Sequence, residues 1–515
     1  MTDVALDRPG APATRVGLAI GLLVACELKA ARKYPATANA LDAAAIAILF
    51  ATFFAAHSLW NLIPAGLTFA LLAVVAALAV LLSIRRDSLF IAVLGLLGGF
   101  ATPALLSTGE NRPIPLFAYL MLLNVGLARV SRRRGWGVLT ILTLVFTTLY
   151  QWIWVVRFLS ASQLSLAMGI FLLFPIATFA TLALARTKGA AEDPTLDRTA
   201  TAGAVLPLLF AVYLAAVPAY GARPALLFGF LLILDAGLLA LAAARKQPLL
   251  HEAGAITTLV VMASWLGVSY SWPGPLTALG FPMLFAAFYL AAPPLLGLLG
   301  RDTEDTGRAA YAAPLLLFVP TVLAGIEPRL VEPRWLFASV LVVLVLAAVR
   351  GILAGQGGLY FVAAFFAVAA QAVWSARHLT ADGLRTAVAI YTVFGLVSLG
   401  VPMLARRLRK PLNPPGGAGL VLVLSLGLLL FLSSGSVAPV AIWAMALLLA
   451  ILNAGLFIES AATRLPLLSI AGSIGSWVVM AAWWLEAGAA AGVIPSLAVM
   501  TGLALVTLAG HAWTY

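Results

Sequence analysis

Asp235 is the residue in this sequence with the most chemistry open to it. It stands about twelve residues into the apolar run that begins at Pro224, at a depth where an ionised carboxylate costs about 2.5–3.5 kcal/mol on insertion scales. A carboxylate kept there faces a partner or a wet cavity, or holds a proton, and proton- or cation-coupled carriers use that chemistry. The competing reading is a polar group that packs helices together. Asn124 and Asn453 hold the matching place in two similar segments and Leu344 holds it in a fourth, so uncharged residues serve there too and packing is favoured.

The other candidates are weaker. His57, His251, His378 and His511 are scattered without a second histidine at metal-ligand spacing, so no metal and no cofactor is expected. His251-Glu252 is the nearest approach to an acid/base pair, and capping of its helix is the expected role. Glu327 and Glu332 form the one candidate carboxylate pair in an outer loop. Gln151 and Gln371 are expected to make interhelical hydrogen bonds. There is neither a phosphate-binding glycine loop with its lysine nor a Gly-x-Ser-x-Gly elbow. With no paired acid and base, enzymatic activity is not favoured. Cys26 is the only cysteine, which leaves no internal disulfide or thiolate cluster; a small buried hydrophobe is its expected role.

The elements that must position these residues follow from composition. Of 515 residues, 63% are hydrophobic and 10% charged, whereas a soluble domain carries about 25% charged residues. Apolar runs of bilayer-spanning length recur from end to end, about 19 of them, which predicts an all-α polytopic membrane protein with no soluble domain. The runs at 16–31, 88–106 and 417–434 are among the nineteen. The net charge of +12 does not indicate nucleic acid, because the basic residues sit at the ends of apolar runs, as in Arg132 to Arg134. Of the 31 Lys and Arg, 22 fall in loops after odd-numbered runs, which places those loops in the cytoplasm. Arginine-rich, Ala/Leu/Gly-rich composition suits a bacterium, hence a bacterial cytoplasmic membrane with the bilayer as partner.

The chain also repeats itself. Leu122-Leu-Asn124-Val-Gly126-Leu127 recurs as Ile233-Leu-Asp235-Ala-Gly237-Leu238 and as Ile451-Leu-Asn453-Ala-Gly455-Leu456. Thirty residues beyond each polar position stands Trp154, Trp265 or Trp483, and Trp374 lies thirty beyond Leu344. These tryptophans read as packing or interface anchors before ligand platforms. The spacing predicts parallel four-helix repeats of about 110 residues at 62–158, 160–270, 274–378 and 380–488. Partial repeats at 1–61 and 490–515 flank them. Incomplete end units suggest a fragment or a shortened form. Gly95-Leu-Leu-Gly98-Gly99 and the stretch from Ala471 to Gly475 signal close helix packing.

Between Asp42 and Trp154 the residues carry a likeness. Ala55-Ala-His-Ser-Leu-Trp60, Leu81-Leu-Ser-Ile-Arg85-Arg-Asp87-Ser88, Ala92-Val-Leu-Gly-Leu-Leu-Gly-Gly-Phe-Ala-Thr-Pro103 and Phe117-Ala-Tyr-Leu-Met-Leu-Leu-Asn124 resemble the bacterial predicted membrane proteins of domain-of-unknown-function family 2339. The resemblance implies a multi-span protein and imports no activity. Within it, Thr102-Pro103 followed by the polar turn Ser107 to Arg112 either lines a cavity or simply packs, and packing is favoured.

Two functions remain. One is transport or export of a lipid-like or hydrophobic envelope component in a groove between helices. The other is a non-enzymatic membrane scaffold or assembly factor for envelope protein partners.

Overall fold

A computed structural model of the chain describes residues 11–27, 35–107, 109–186, 194–298, 300, 304–434, 440–487 and 492–514. Among them all regular elements are helical. Sixteen helices are long and apolar enough to cross a membrane, and three further apolar helices, Pro12–Val24, Leu89–Leu105 and Gly417–Ser433, are shorter. The chain is therefore a polytopic helical membrane protein. Each of the nineteen expected runs has its helix, but three fall short of the ~20 residues that span a hydrocarbon core. The outward faces of the long helices are apolar: Leu122, Val156 and Leu298 are exposed by 74%, 76% and 85%, surface that hydrocarbon covers. The side chain of Cys26 lies outside the described residues.

The chain divides into two compact units, Met1–Phe210 and Ala211–Tyr515. Inside them one supersecondary form recurs. Pro113–Arg134 with Gly137–Phe158 is a helical hairpin of the first unit. Its counterparts in the second unit are Pro224–Arg245 with Pro248–Ser269, Arg334–Ala354 with Gly357–His378, and Ile442–Thr463 with Pro466–Ala487. The first helices end at residues 134, 245, 354 and 463, which are 111, 109 and 109 apart. Each is closed by one left-handed residue: Gly135, Lys246, Gly355 or Arg464, with φ of 71°, 54°, 69° and 55°. A left-handed residue turns the chain and lets its N–H reach a carbonyl that the helix end leaves open. The next helix starts two residues on, at a glycine or a proline, where a missing N–H costs nothing.

Around three of these hairpins the packing alternates. In the first unit, Ala65–Arg86 lies against Pro113–Arg134 and Leu89–Leu105 against Gly137–Phe158. In the second, Pro275–Leu298 packs on Arg334–Ala354 and Phe318–Ile326 on Gly357–His378, while Leu384–Arg407 packs on Ile442–Thr463 and Gly417–Ser433 on Pro466–Ala487. The glycines of Leu89–Leu105 let it come close to Ala65–Arg86: a Cβ on Gly95 would sit 2.6 Å from that of Ala79. The expected single helix at 309–326 is interrupted, running as Glu304–Tyr311, Ala312–Leu315 and Phe318–Ile326. Pro314 and Pro320 each remove a backbone donor, and shorter-pitch turns absorb the loss.

The left-handed caps give a test. A non-glycine residue in this conformation costs about 1–2 kcal/mol, so Lys246→Gly and Arg464→Gly are expected to stabilise the folded protein and Gly355→Ala to destabilise it, each by about 1 kcal/mol. Unfolding free energies measured in bicelles check this; equal effects of the glycine and alanine variants would show that the turns do not need the left-handed geometry.

Candidate functional site

The four repeated tryptophans are all buried, and each indole N–H donates to the segment just ahead of its own hairpin. Trp265 reaches the Gly221 carbonyl at 3.1 Å, Trp374 that of Leu330 at 2.8 Å, and Trp483 that of Val440 at 2.8 Å. Trp154 uses a side chain instead, Asn111 Oδ1 at 2.9 Å. A phenylalanine stands edge-on to three of the indoles: Phe117, Phe228 and Phe337, with centroids 5.7, 5.2 and 5.8 Å away. The residue at the fourth such place is Ala446. These tryptophans hold the entry strand of chain to the hairpin from inside the protein, where no bilayer interface reaches them.

The polar positions pair across each hairpin, 23 residues apart. Asn124 Nδ2 donates to Thr147 Oγ1 at 2.8 Å and Asn453 Nδ2 to Ser476 Oγ at 2.6 Å. Both amides also donate to a carbonyl of their own helix, Leu120 at 2.8 Å and Leu449 at 2.9 Å. Asp235 reverses the direction: Thr258 Oγ1 donates to its Oδ2 at 2.6 Å, and Tyr289 OH donates to the same oxygen at 2.6 Å. In the third hairpin Leu344 faces the place of Ala367, and both line one small cavity of about 30 Å³. Where the polar residue is lost, its hydroxyl partner is lost too.

Asp235 is wholly buried. A Cβ on Gly254 would lie 2.6 Å from Asp235 Oδ1, so glycine at that place makes room for the carboxyl group, and Oδ1 itself has no hydrogen-bond partner. His251, expected at a helix cap, is instead 1% exposed. Its ring packs 5.3 Å from that of Tyr289 and 5.9 Å from that of Phe288, and neither ring nitrogen has a hydrogen-bond partner. Positions 251, 254 and 258 fall on one helical face, which joins His251 to the Asp235 cluster. Nothing in the spacing of single histidines announces this; Tyr289 comes from a helix outside the hairpin.

Other expectations fare differently. Glu327 and Glu332 take separate partners: buried Glu327 accepts from Tyr270 OH at 2.8 Å, and exposed Glu332 from Arg334 Nε at 3.0 Å. Burial and then the bond to Glu327 push the Tyr270 phenol above its usual range. Gln151 does donate to another helix, at the Ile170 carbonyl, whereas Gln371 donates to Ala367 in its own. Two further buried carboxylates were not singled out: Asp42, held by Arg86 Nε at 2.8 Å, and Glu459, held by Arg406 Nη1 at 2.5 Å. Each partner arginine sits in the last turn of its helix.

A large cavity lies where the sequence favours packing. Pro103, Leu106, Ser107, Glu110 and Arg112 line a half-open cavity of about 1010 Å³, bounded by the starts of Ala65–Arg86 and Pro113–Arg134 and the ends of Leu89–Leu105 and Gly137–Phe158. Leu89–Leu105 has 17 residues and its neighbours 22; at ~1.5 Å per residue it stops about 7 Å short, one turn after Thr102 and Pro103 begin to close it. Phe69, Phe100, Leu116, Phe146 and Ile153 wall the vacated space. At the rim Asn111 is fixed from both sides, accepting from Trp154 and donating to Gln163 at 3.0 Å. Pockets of about 300–1,000 Å³ with apolar walls and few polar groups are the usual form of small-molecule sites.

A membrane protein of many apolar helices with a groove in its first unit is thus the class. Residues 12–220 match the model of the family described as predicted membrane protein (DUF2339); the likeness carried by residues 42–154 lies inside that range. No curated protein matches the chain, and no solved structure does.

The Asp235 cluster makes a prediction about pairing. Removing one donor from a buried carboxylate costs about 1–3 kcal/mol, so Thr258→Ala is expected to destabilise the protein by that amount. Asp235→Asn, which can donate to the Leu231 carbonyl as its sister amides do, is expected to cost less than ~1 kcal/mol. Asp235→Leu with Thr258→Ala reproduces the third hairpin and should recover part of the single-variant loss in a double-mutant cycle. Additive losses would show that the two side chains do not act as a pair.

Proposed function

We propose that this protein takes up a lipid-like or amphipathic component of the envelope and moves or presents it, with the groove of the first unit as the binding place. The observation that carries the reading is the combination of about 1010 Å³ of apolar-walled space with a polar rim at one end. Aliphatic matter enters such a groove sideways from the hydrocarbon, and the polar part stays at the rim near water. Orientation belongs to the same proposal. Arg85-Arg86 and Arg132 to Arg134 end helices at the side opposite the groove, and arginine-rich ends face the cytoplasm. The groove then opens in the outer half of a bacterial cytoplasmic membrane.

On this reading the segments 62–158, 160–270, 274–378 and 380–488 are variants of one four-helix unit, supported by the recurring hairpin bounds and, around three of the hairpins, the alternating packing. In the first, the short second helix ends beside the groove. Asp235 then serves as the hydrogen-bonded equivalent of Asn124 and Asn453, and transport does not depend on its charge.

Filling the groove tests the proposal. A Cβ on Gly66 meets nothing within 4 Å, so Gly66→Trp adds an aromatic ring to the cavity without displacing neighbours. Native mass spectrometry of the protein extracted from its own membrane is expected to show a discrete bound lipid-like mass in the wild type and its loss in Gly66→Trp. Equal retention by both would end the groove reading and leave the scaffold as the function to test.

A further inference from the structure

The charges at the groove rim say what the bound molecule carries. Three charged side chains line the cavity: Glu110, Arg112 and Arg157, an excess of one positive charge. Glu110 and Arg112 pair with each other at 2.7 Å while 59% and 74% exposed, and a surface pair of that kind is worth little, about 0–1 kcal/mol. Arg157 has no carboxylate partner among the described residues; its guanidinium lies 5.5 Å from the Phe158 ring centroid. It stands on the last turn of Gly137–Phe158 and lines the same cavity as Arg112, which lies in the turn just before Pro113–Arg134. That turn is held in place by the Trp154 bond to Asn111.

We infer that the groove selects a membrane lipid with an anionic phosphate headgroup, its phosphate received by Arg157 and Arg112 and its hydrocarbon chain laid between Phe69, Phe100, Leu116 and Phe146. The inference rests on the groove reading above and adds the headgroup to it. The guanidinium is a planar fork that binds phosphate through two parallel N–H donors, and Arg112 exchanges a weak, solvated pairing with Glu110 for such a contact. Between hydrocarbon and headgroup level the field of the two arginines is poorly screened, so the choice between anionic and neutral lipid falls there. A neutral or cationic headgroup fits the same apolar walls and gains nothing at the rim.

The experiment uses the full-length protein, delipidated in detergent and offered equal amounts of phosphatidylglycerol and phosphatidylcholine with the same acyl chains, with bound lipid counted by native mass spectrometry. The wild type is expected to retain phosphatidylglycerol over phosphatidylcholine by about tenfold, the effect of ~1.4 kcal/mol. Arg157→Gln should bring that ratio near one while the total lipid bound stays constant, and Arg157→Lys should fall between. Arg133→Gln, at the opposite side of the same hairpin, should leave the ratio alone, which separates the rim from the general attraction of a basic protein for anionic lipid. A wild type without preference, or a preference that survives Arg157→Gln, overturns the headgroup inference while the groove stands. Unchanged binding of both lipids by Gly66→Trp overturns the groove itself.

Discussion

A tryptophan N–H buried in a membrane protein has no water to bond, so it must find an acceptor in the chain. In each of the four hairpins the acceptor comes from the segment that leads into it, and an edge-on phenylalanine supports three of the rings. That bond ties the chain entering each hairpin to the second of its two 21- or 22-residue helices. The first hairpin adds a consequence. Its indole bonds to a side chain in the preceding turn instead of to a carbonyl, and that turn is the rim of the groove. The interaction that orders the fold also positions the polar end of the candidate site.

The second constraint is the polar pair inside each hairpin. Amide to hydroxyl, hydroxyl to carboxylate, and leucine to alanine all occupy the same two places, and the partners change together. This is what hydrocarbon surroundings require, since a single polar group left without its partner costs more than the absence of both. The carboxylate version needs more support than the amide version. It recruits Tyr289 from a third helix and a glycine at 254, and it has His251 packed along the same face. Two hydroxyls hold one oxygen of Asp235, while the other is buried without a hydrogen-bond partner.

The groove lies beyond the end of a short helix, between the longer helices around it. Length alone does not make it, since Gly417–Ser433 is as short among its own longer neighbours. Residues that read as close packing do pack closely in the lower part of Leu89–Leu105, at Gly95 and Gly99, while its upper end opens. Both descriptions of the Gly-rich helix hold, over different turns.

Composition, apolar run length and the placement of arginines were enough to define a many-helix membrane protein, because hydrocarbon imposes helix, length and polarity on every span regardless of its neighbours. The 111, 109 and 109 spacings were legible for the same reason: the hairpins are local and repeat their tryptophan, their polar position and their turn. What the chain order hides is everything that joins distant residues. Tyr289 on Asp235, His251 beside them, Arg86 on Asp42 and Arg406 on Glu459 are separated by tens of residues and carry no periodic signal. The groove is hidden more deeply, since an empty space has no residues of its own. Thr102-Pro103 and the turn from Ser107 to Arg112 suit a packed helix end as well as an open one, and only the packing of the short helix against the three other helix ends around it decides between them.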